Sequence, residues 1–433
     1  MQSQTATTRA WHAPDSILRT AHGSIGLHLT VEEVLNILPF MFMSMNGALP
    51  FTGHASRLAL DAGLGFYWLL TVVNFFRNRA KIHWELWTTR YAAIFLFYTL
   101  LSVIWSHQRM GTLYLPFITS ICTFLYCSYL IDRFTLADFT RMLVIGYTFM
   151  LVASIFVATL LPRFGIDDGS SDPNNRGAWQ GICSQKNGLG LISALAIAAA
   201  LSLKPKSHLD HAWRWLLLSS ALVCAFKSES REAWIAISLQ FLLFIIVRFI
   251  QDLQPRSRLP ILFSIVMASI LLLLAVYYNL DALLALIGRN RTASGRTDLW
   301  EASFLLIQRR PWLGYGLYGV FGTNIAWDIS VRAGWMVTSS HNNYVEVLLS
   351  YGIIGLLLYL PIPLSSLLYM VRALFSYSLP EIEILLYIMI VILLVSLTSP
   401  IVLYTPAIGL ILLLYAVSHL ERVERSGFMR IRE

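Results

Sequence analysis

Apolar runs of about 20 residues recur along most of this chain, and they limit its architecture more than any other feature. Hydrophobic residues make up 57% of the 433 positions and charged residues only 13%, far from the proportions of soluble proteins. A helix of about 20 apolar residues crosses the ~30 Å hydrocarbon core and satisfies its own backbone there. The sequence therefore predicts an all-α, polytopic membrane protein.

The apolar runs number about twelve. An even number of spans places both termini on the same side of the membrane. More than half of the 32 Lys and Arg residues then lie on that side, in the short loops and the terminal segments. Because Lys and Arg collect in cytoplasmic loops, this side is predicted to be the cytoplasm. We place the spans at 30–50, 57–76, 91–106, 112–131, 140–162, 187–203, 212–227, 233–250, 259–280, 343–371, 381–399 and 402–419.

This layout divides the chain into five parts. Residues 1–29 form a cytoplasmic segment, 30–280 the first nine transmembrane helices, 281–342 a large periplasmic loop, 343–419 the last three helices and 420–433 a cytoplasmic tail. The polar start lacks the apolar core and cleavage site of a signal peptide, so the first span is expected to be an uncleaved anchor. We expect a multi-pass membrane protein with both termini in the cytoplasm.

Cysteine spacing and net charge exclude two other kinds of site. The four cysteines show no CxxC or Cys/His metal spacing, so neither a disulfide nor zinc is expected. The net charge of +8 follows from basic cytoplasmic loops and gives no reason to expect nucleic acid binding.

Polar residues gather in two predicted outer segments, about 163–188 and 281–342, and connections this long usually carry function. In the second, GRNRTASGRTDLW contains Arg289, Arg291 and Arg296 within eight residues. Together they outline an anion site, although each arginine taken singly is equally consistent with a solvated charge or a lipid contact.

An amphipathic helix is predicted directly after these arginines. Asp298 and Glu301 have the spacing of a capping pair, and the apolar residues that follow recur at helical spacing, which favours a helix on the membrane face. Its free N–H groups would add to the attraction of Arg296 for phosphate. Beyond it, Gly314 and Gly316 would let the backbone approach a bound group.

Further charged candidates stand at predicted helix ends. Arg231 lies beside Glu229 and Glu232 at the mouth of the bundle, where charge is costly and often functional, although an ion pair capping the helix is an equal alternative. Arg176 and Lys186 are further candidates for the anion site, or else interface anchors.

The stretch SSHNNYVEV places His341 at the start of the tenth span, as a base or simply as a hydrogen-bond donor. Asn342 and Asn343 are candidates for helix capping or for sugar binding, with capping favoured. Glu346 would hold the imidazole or pair with an arginine.

One reaction needs this combination of residues: attack of a sugar hydroxyl on a sugar linked to a lipid diphosphate. Arginines would stabilise the departing diphosphate through two-point contacts, and a neutral histidine would accept or orient the hydroxyl proton. The outer segments lack the acidic ligand cluster of a magnesium-dependent enzyme, so a metal-independent reaction without cofactors is expected.

The ordered motifs GRTDLW, RPWLGYGLYG and HNNYVEVLLSYGIIGLL resemble the O-antigen ligase and polymerase (Wzy-C) superfamily. Upstream, GAWQGICSQKNGLG and SESREAW are similar to segments of its exopolysaccharide (ExoQ-like) polymerases. The resemblance covers about 176–360. It implies a GT-C-like fold and a glycan donor and acceptor carried on undecaprenyl diphosphate, with membrane lipids and a chain-length regulator or export complex as further candidate partners.

By position, the resemblance assigns the catalytic histidine to His341 and diphosphate-binding arginines to Arg231 and Arg296. Arg291, Arg176 and the Lys186–Asn187 pair are further substrate-binding candidates. Gln185 stands where the family more often has histidine, so a hydrogen bond is expected there and proton transfer is not.

Three functions follow in order of preference. The first is a metal-independent, inverting polysaccharide polymerase, and the second is an O-antigen ligase that uses lipid A core as acceptor. The third is a polysaccharide or solute transporter, disfavoured because the sequence shows neither two similar halves nor acidic residues at the midplane.

Overall fold

The computed structural model of the chain describes residues 34–38, 41, 54–108, 110–169, 175–183, 185–203, 205, 207–278, 296–321, 323–333, 337–374, 379–400 and 408–425. Within these ranges the protein is all-helical, as the composition predicts: it has 15 α-helices besides a helical turn at 34–38. The extended backbone pairing seen there is an isolated bridge between Ile166 and Trp179.

The helices follow one another along the chain with the following bounds. They are α1 (His54–Arg77), α2 (Trp87–Leu101, continued by a 3-10 turn at Ser102–Trp105), α3 (Met110–Arg133), α4 (Leu136–Leu160), α5 (Pro162–Gly165), α6 (Lys186–Ser202), α7 (His208–Ser228), α8 (Arg231–Asp252), α9 (Pro255–Tyr278), α10 (Arg296–Arg309), α11 (Asn324–Ala333), α12 (Asn343–Tyr359), α13 (Pro361–Leu374), α14 (Leu379–Val395) and α15 (Ile408–Arg425).

Each predicted span from 57–76 onward falls on helix. The span 343–371 takes in two helices, α12 and α13, and residues 402–407 of the last span lie outside the described residues. Among the described residues, four helical stretches are long and apolar enough to cross a membrane, as expected of an integral membrane protein: Trp87–Trp105, Leu136–Leu160, Arg231–Ile250 and Asn343–Arg372. The predicted span at 30–50 lies mostly outside the described residues, and the total of about twelve stays a prediction. At the C-terminal end, α15 continues to Arg425, past the predicted end of the last span at 419. Glu421, within this extension, is buried.

Helix α6 forms the centre of the bundle. Every residue from Gly188 to Ala200 is buried, and α4, α7, α8 and α14 all pack on this helix. Its glycines and alanines let neighbouring backbones come close. Lipid is as apolar as the helix surfaces, so helices in a membrane associate through such close packing rather than through apolar burial. At Gly190 an added Cβ would lie 2.7 Å from the Cβ of Ser230, so the first turns of α6 and α8 are in direct contact.

Helix α12 is broken at Gly352, and the RPWLGYG segment fills the break. Gly352 has φ 65°, outside helical geometry. The carbonyls of Leu349 and Ser350 accept hydrogen bonds from the backbone N–H groups of Tyr315 (2.9 Å) and Gly316 (2.8 Å). Such pairing is needed because an interrupted helix in an apolar segment must satisfy its freed backbone groups within the protein.

The same packing explains why glycine occupies positions 314 and 316. Both have positive φ, at 64° and 82°. A Cβ at Gly314 would lie 2.6 Å from the Leu349 carbonyl oxygen, and one at Gly316 would lie 2.6 Å from that of Ser102. The close approach that glycine permits here is made to protein backbone, and binding of substrate by Gly314 and Gly316 stays a prediction.

Candidate active site

His341 lies in the short loop between α11 and α12 with a left-handed backbone. Its φ is 50°, a conformation that is uncommon for a residue with a side chain. The side chain is partly buried. Strained backbone of this kind persists only where neighbouring contacts enforce it, and it concentrates at functional sites.

Ser340 provides those contacts immediately before His341. Its backbone N–H donates to Oε2 of Glu346 (2.8 Å), its hydroxyl donates to the Asn342 carbonyl (2.8 Å), and its carbonyl accepts from Nε1 of Trp300 (2.9 Å). The buried carboxylate of Glu346 thus holds the backbone that presents His341. The sequence suggested the imidazole or an arginine as the partner of Glu346, and the contact with the Ser340 backbone is a different one.

Asn342 caps α12, which confirms the favoured interpretation. Its Oδ1 accepts from the N–H groups of Tyr344 (2.9 Å) and Val345 (3.1 Å), and its Nδ2 donates to the Leu397 carbonyl (3.0 Å). Because both ends of the amide are engaged by protein, the predicted sugar-binding role of Asn342 is not supported. Asn343 is buried, and its N–H donates to the Ser396 carbonyl (2.8 Å).

Arg296 is the first residue of α10, so the helix predicted from Asp298 onward is present and begins two residues earlier. Trp300 follows Arg296 by four positions and lies on the same helix face. Since Trp300 bonds to Ser340, this face of α10 lies against the loop that carries His341. The buried face of α10 packs on α11 and α12, and its position relative to the membrane surface stays a prediction.

The two proposed diphosphate-binding arginines begin helices that meet through Glu232. Nη2 of Arg296 lies 2.9 Å from Oε1 of Glu232, and Ser399 donates its hydroxyl to Oε2 of Glu232 (2.8 Å). Arg231, the neighbour of Glu232 at the start of α8, is exposed, and Ser230 caps that helix. The ion pair at this helix end is thus made by Glu232 with Arg296, rather than by Arg231 as the capping alternative supposed.

The upstream candidates are brought to the same end of the bundle. Lys186 begins α6 one turn before Gly190, which contacts Ser230, so Lys186 lies on the side of α6 that faces the start of α8. The segment that carries Arg176 is attached to the end of α7, because the N–H of Trp179 donates to the Lys227 carbonyl (2.8 Å).

Arg176 itself is exposed, and Asn187 is partly buried in the first turn of α6. Binding of substrate by Arg176, Lys186 and Asn187 stays a prediction. Arg291 lies outside the described residues.

The surroundings of His341 keep its imidazole neutral. Burial, and secondarily the positive charge of Arg296, lower the pKa of His341 from 6.5 to about 4. A neutral imidazole can accept a hydrogen bond from a hydroxyl at physiological pH.

Comparison with known proteins identifies the region that contains these residues. Residues 215–360 match the model of the O-antigen ligase family. The chain is also 26% identical over 324 residues to the exopolysaccharide production protein ExoQ of Rhizobium meliloti (strain 1021), an alignment that covers 70% of this chain and 70% of the relative. The resemblance to the O-antigen ligase family is confirmed.

The O-antigen ligase segment includes the three residues that the resemblance assigns to catalysis, Arg231, Arg296 and His341. Two contact residues, Glu232 and Ser399, were not assigned to the site from the sequence. Glu232 lies inside the segment, in the quoted SESREAW motif, where its charge beside Arg231 was the available signal. Ser399 lies beyond it, in SLTSP after α14, and its sequence gives no signal of a contact with Glu232.

Proposed function

We propose that this protein is a membrane glycosyltransferase that polymerises polysaccharide on the periplasmic side of the inner membrane. It transfers a glycan from undecaprenyl diphosphate to a hydroxyl of another lipid-linked repeat unit. The observation that carries the proposal is the convergence of Arg296 and His341, which α10 brings together through the hydrogen bond of Trp300 to Ser340. Membership of the O-antigen ligase family supports glycosyl transfer as the chemistry.

The reaction is a single displacement. The acceptor hydroxyl oxygen attacks the anomeric carbon, the bond from that carbon to the diphosphate oxygen breaks, and the anomeric configuration inverts. Arg296 and Arg231 stabilise the negative charge that develops on the departing diphosphate, and guanidinium groups suit this role because they bind phosphate oxygens at two points. The hydroxyl proton passes to the imidazole of His341.

The lowered pKa of His341 agrees with this sequence of events. A group with a pKa of about 4 is by itself a weak base at neutral pH. A diphosphate bound beside Arg296 brings negative charge to the site, which raises the pKa of a neighbouring imidazole because opposite charges favour its protonated form. Donor binding therefore makes His341 a better proton acceptor at the stage when the hydroxyl attacks.

Purified protein supplied only with a lipid-linked repeat unit tests the proposal. We expect longer diphosphate-linked chains together with free undecaprenyl diphosphate. The name of the relative, an exopolysaccharide production protein, favours this polymerase reaction.

The second candidate is a ligase, which the description of the family favours. Such an enzyme would release undecaprenyl diphosphate only when lipid A core is added as acceptor. Transfer to lipid A core without chain lengthening would overturn the polymerase assignment, while glycosyl transfer itself would stand.

A further inference from the structure

The carboxylate of Glu232 is divided between two partners. Oε1 lies 2.9 Å from Nη2 of Arg296, and Oε2 accepts the hydroxyl proton of Ser399 at 2.8 Å. The Glu232 side chain is only 12% exposed, so it has left water to make these contacts. Since both oxygens are engaged, Glu232 is suited to hold its neighbours in place rather than to accept a proton from substrate.

Ser399 belongs to a turn that also supports the histidine side of the site. The turn 396–399 follows α14 directly, and the N–H of Ser399 donates to the Val395 carbonyl (2.8 Å). The Ser396 carbonyl accepts from the N–H of Asn343 (2.8 Å), and the Leu397 carbonyl accepts from Nδ2 of Asn342 (3.0 Å). One short turn therefore holds the residues next to His341 and, through Glu232, the guanidinium of Arg296.

The pairing leaves most of the Arg296 guanidinium available. A guanidinium has five N–H donors, and Nη2 of Arg296 donates to Oε1 of Glu232. Among the described residues the other donors of Arg296 have no partner, which leaves them able to bind phosphate oxygens. Holding the group in place before substrate binds reduces the reorganisation needed when charge develops on the diphosphate.

We infer that Glu232 is a positioning residue, which with the turn 396–399 fixes Arg296 at a set place relative to His341. This inference rests on the proposed function, because it assigns Glu232 a role through the diphosphate-binding arginine. It goes beyond the family resemblance, which assigns no role to either Glu232 or Ser399.

Glu232→Asp is the discriminating variant. It keeps the negative charge but shortens the side chain by one methylene, so the carboxylate no longer reaches both Arg296 and Ser399. We expect kcat/KM for chain lengthening to fall about tenfold or more, since small misplacements of a catalytic group are costly. Glu229→Asp is the matched control, because Glu229 is exposed and has a left-handed φ of 51° that Asp tolerates. It should retain activity.

Two further readouts separate positioning from a general loss of structure. In an Arg296→Lys background, Glu232→Asp should cause little additional loss, because residues that act through one another are not additive. In the Glu232→Asp variant, the lower pH limit of kcat/KM should rise, because a displaced Arg296 no longer holds down the pKa of His341. The inference would be overturned if the activity losses of the two substitutions multiply in the double variant and the lower pH limit of kcat/KM stays at its wild-type value.

The affinity of the detergent-purified protein for inorganic diphosphate separates the positioning role of Glu232 from the proposed polymerase function. Glu232→Asp should weaken this binding relative to both wild type and Glu229→Asp. If wild type makes no polymer but this weakening is seen, the proposed function fails and the positioning role stands. If wild type makes polymer and Glu232→Asp matches it in activity and in diphosphate binding, the positioning role fails alone.

Discussion

The two sides of the candidate site are built in different ways. On the histidine side, the loop around His341 is held by hydrogen bonds from Ser340, Asn342 and the turn 396–399, and its backbone is strained. On the arginine side, Arg231 is exposed and the Arg296 side chain is 27% exposed, with an ion pair to Glu232. The first side is closely hydrogen-bonded and partly buried, while the second leaves charged side chains accessible to a ligand.

This difference fits the two tasks in the proposed reaction. A hydroxyl must meet the imidazole in one geometry, which requires a backbone that does not move. A diphosphate is large and flexible, so binding it depends more on charge and on free hydrogen-bond donors. Substitutions on the histidine side should therefore disturb geometry, and those on the arginine side should chiefly disturb charge stabilisation.

The largest effect is expected for His341→Asn. Asparagine tolerates the left-handed backbone, so the loop is kept while the proton acceptor is lost. Chain lengthening should fall about 10²- to 10⁴-fold, the usual contribution of general acid–base catalysis. Initial rates with a lipid-linked repeat check this, and the unfolding temperature in detergent should stay within a few degrees of wild type. Retained activity would remove His341 from the mechanism.

Arg296→Lys should have the next largest effect. The charge is retained but two-point binding of phosphate is lost, so most activity should disappear, about ten- to a hundredfold. Glu301 lies on the same helix and is exposed, so Glu301→Gln serves as a control on α10 and should behave as wild type. Full activity of the lysine variant would mean that Arg296 is only a surface charge.

Asn342→Ala should have a smaller effect, on stability first. It removes the cap of α12 and the hydrogen bond to Leu397, which lowers the free energy of unfolding by about 1 kcal/mol, the usual cost of a lost cap. Activity should fall severalfold because the loop beside His341 loosens. Asn342→Asp, which keeps the capping oxygen, should recover most of the stability in a thermal unfolding assay. An alanine variant as stable as wild type would mean that other contacts hold this side.

The smallest expected effect is that of pH near neutrality. The pKa of His341 is about 4 rather than 6.5, so its neutral form predominates throughout the range above about pH 5. As pH falls from 8 to 6, kcat/KM should change less than about twofold, and it should decline only as pH approaches about 4. A decline centred near pH 6.5 in initial-rate profiles would show that the histidine is not shielded as the structure implies.

Much of the architecture could be predicted from local sequence. Apolar runs locate helices because a spanning helix needs a continuous run of that length, and the predicted spans from 57–76 onward coincide with helices. The helical spacing of Leu299, Trp300, Ser303, Phe304 and Ile307 predicts α10, although it gives the buried face only in part: Leu299, Ser303 and Ile307 are buried, whereas Phe304 is exposed. Asn342 is recognisable as a cap because an amide directly before a helix pairs with the next free N–H groups.

Other features depend on contacts between distant segments. The glycines of GYGLYG were expected to approach a ligand, yet they approach α12 and the end of α2, because the break at Gly352 offers unpaired backbone groups there. Helix α11 was not foreseen within the loop 281–342. The Glu232 to Ser399 contact joins residues 167 positions apart, and no local pattern encodes it.

The sequence by itself determined that this is an all-helical membrane protein with arginines and a histidine in ordered family motifs, because hydrophobic length and residue type are local properties. Tertiary structure alone decided how those motifs meet. It placed Arg296 beside His341, strained the histidine backbone, and supported both sides on one turn, because hydrogen bonds and burial act between segments that are close only after the chain has folded.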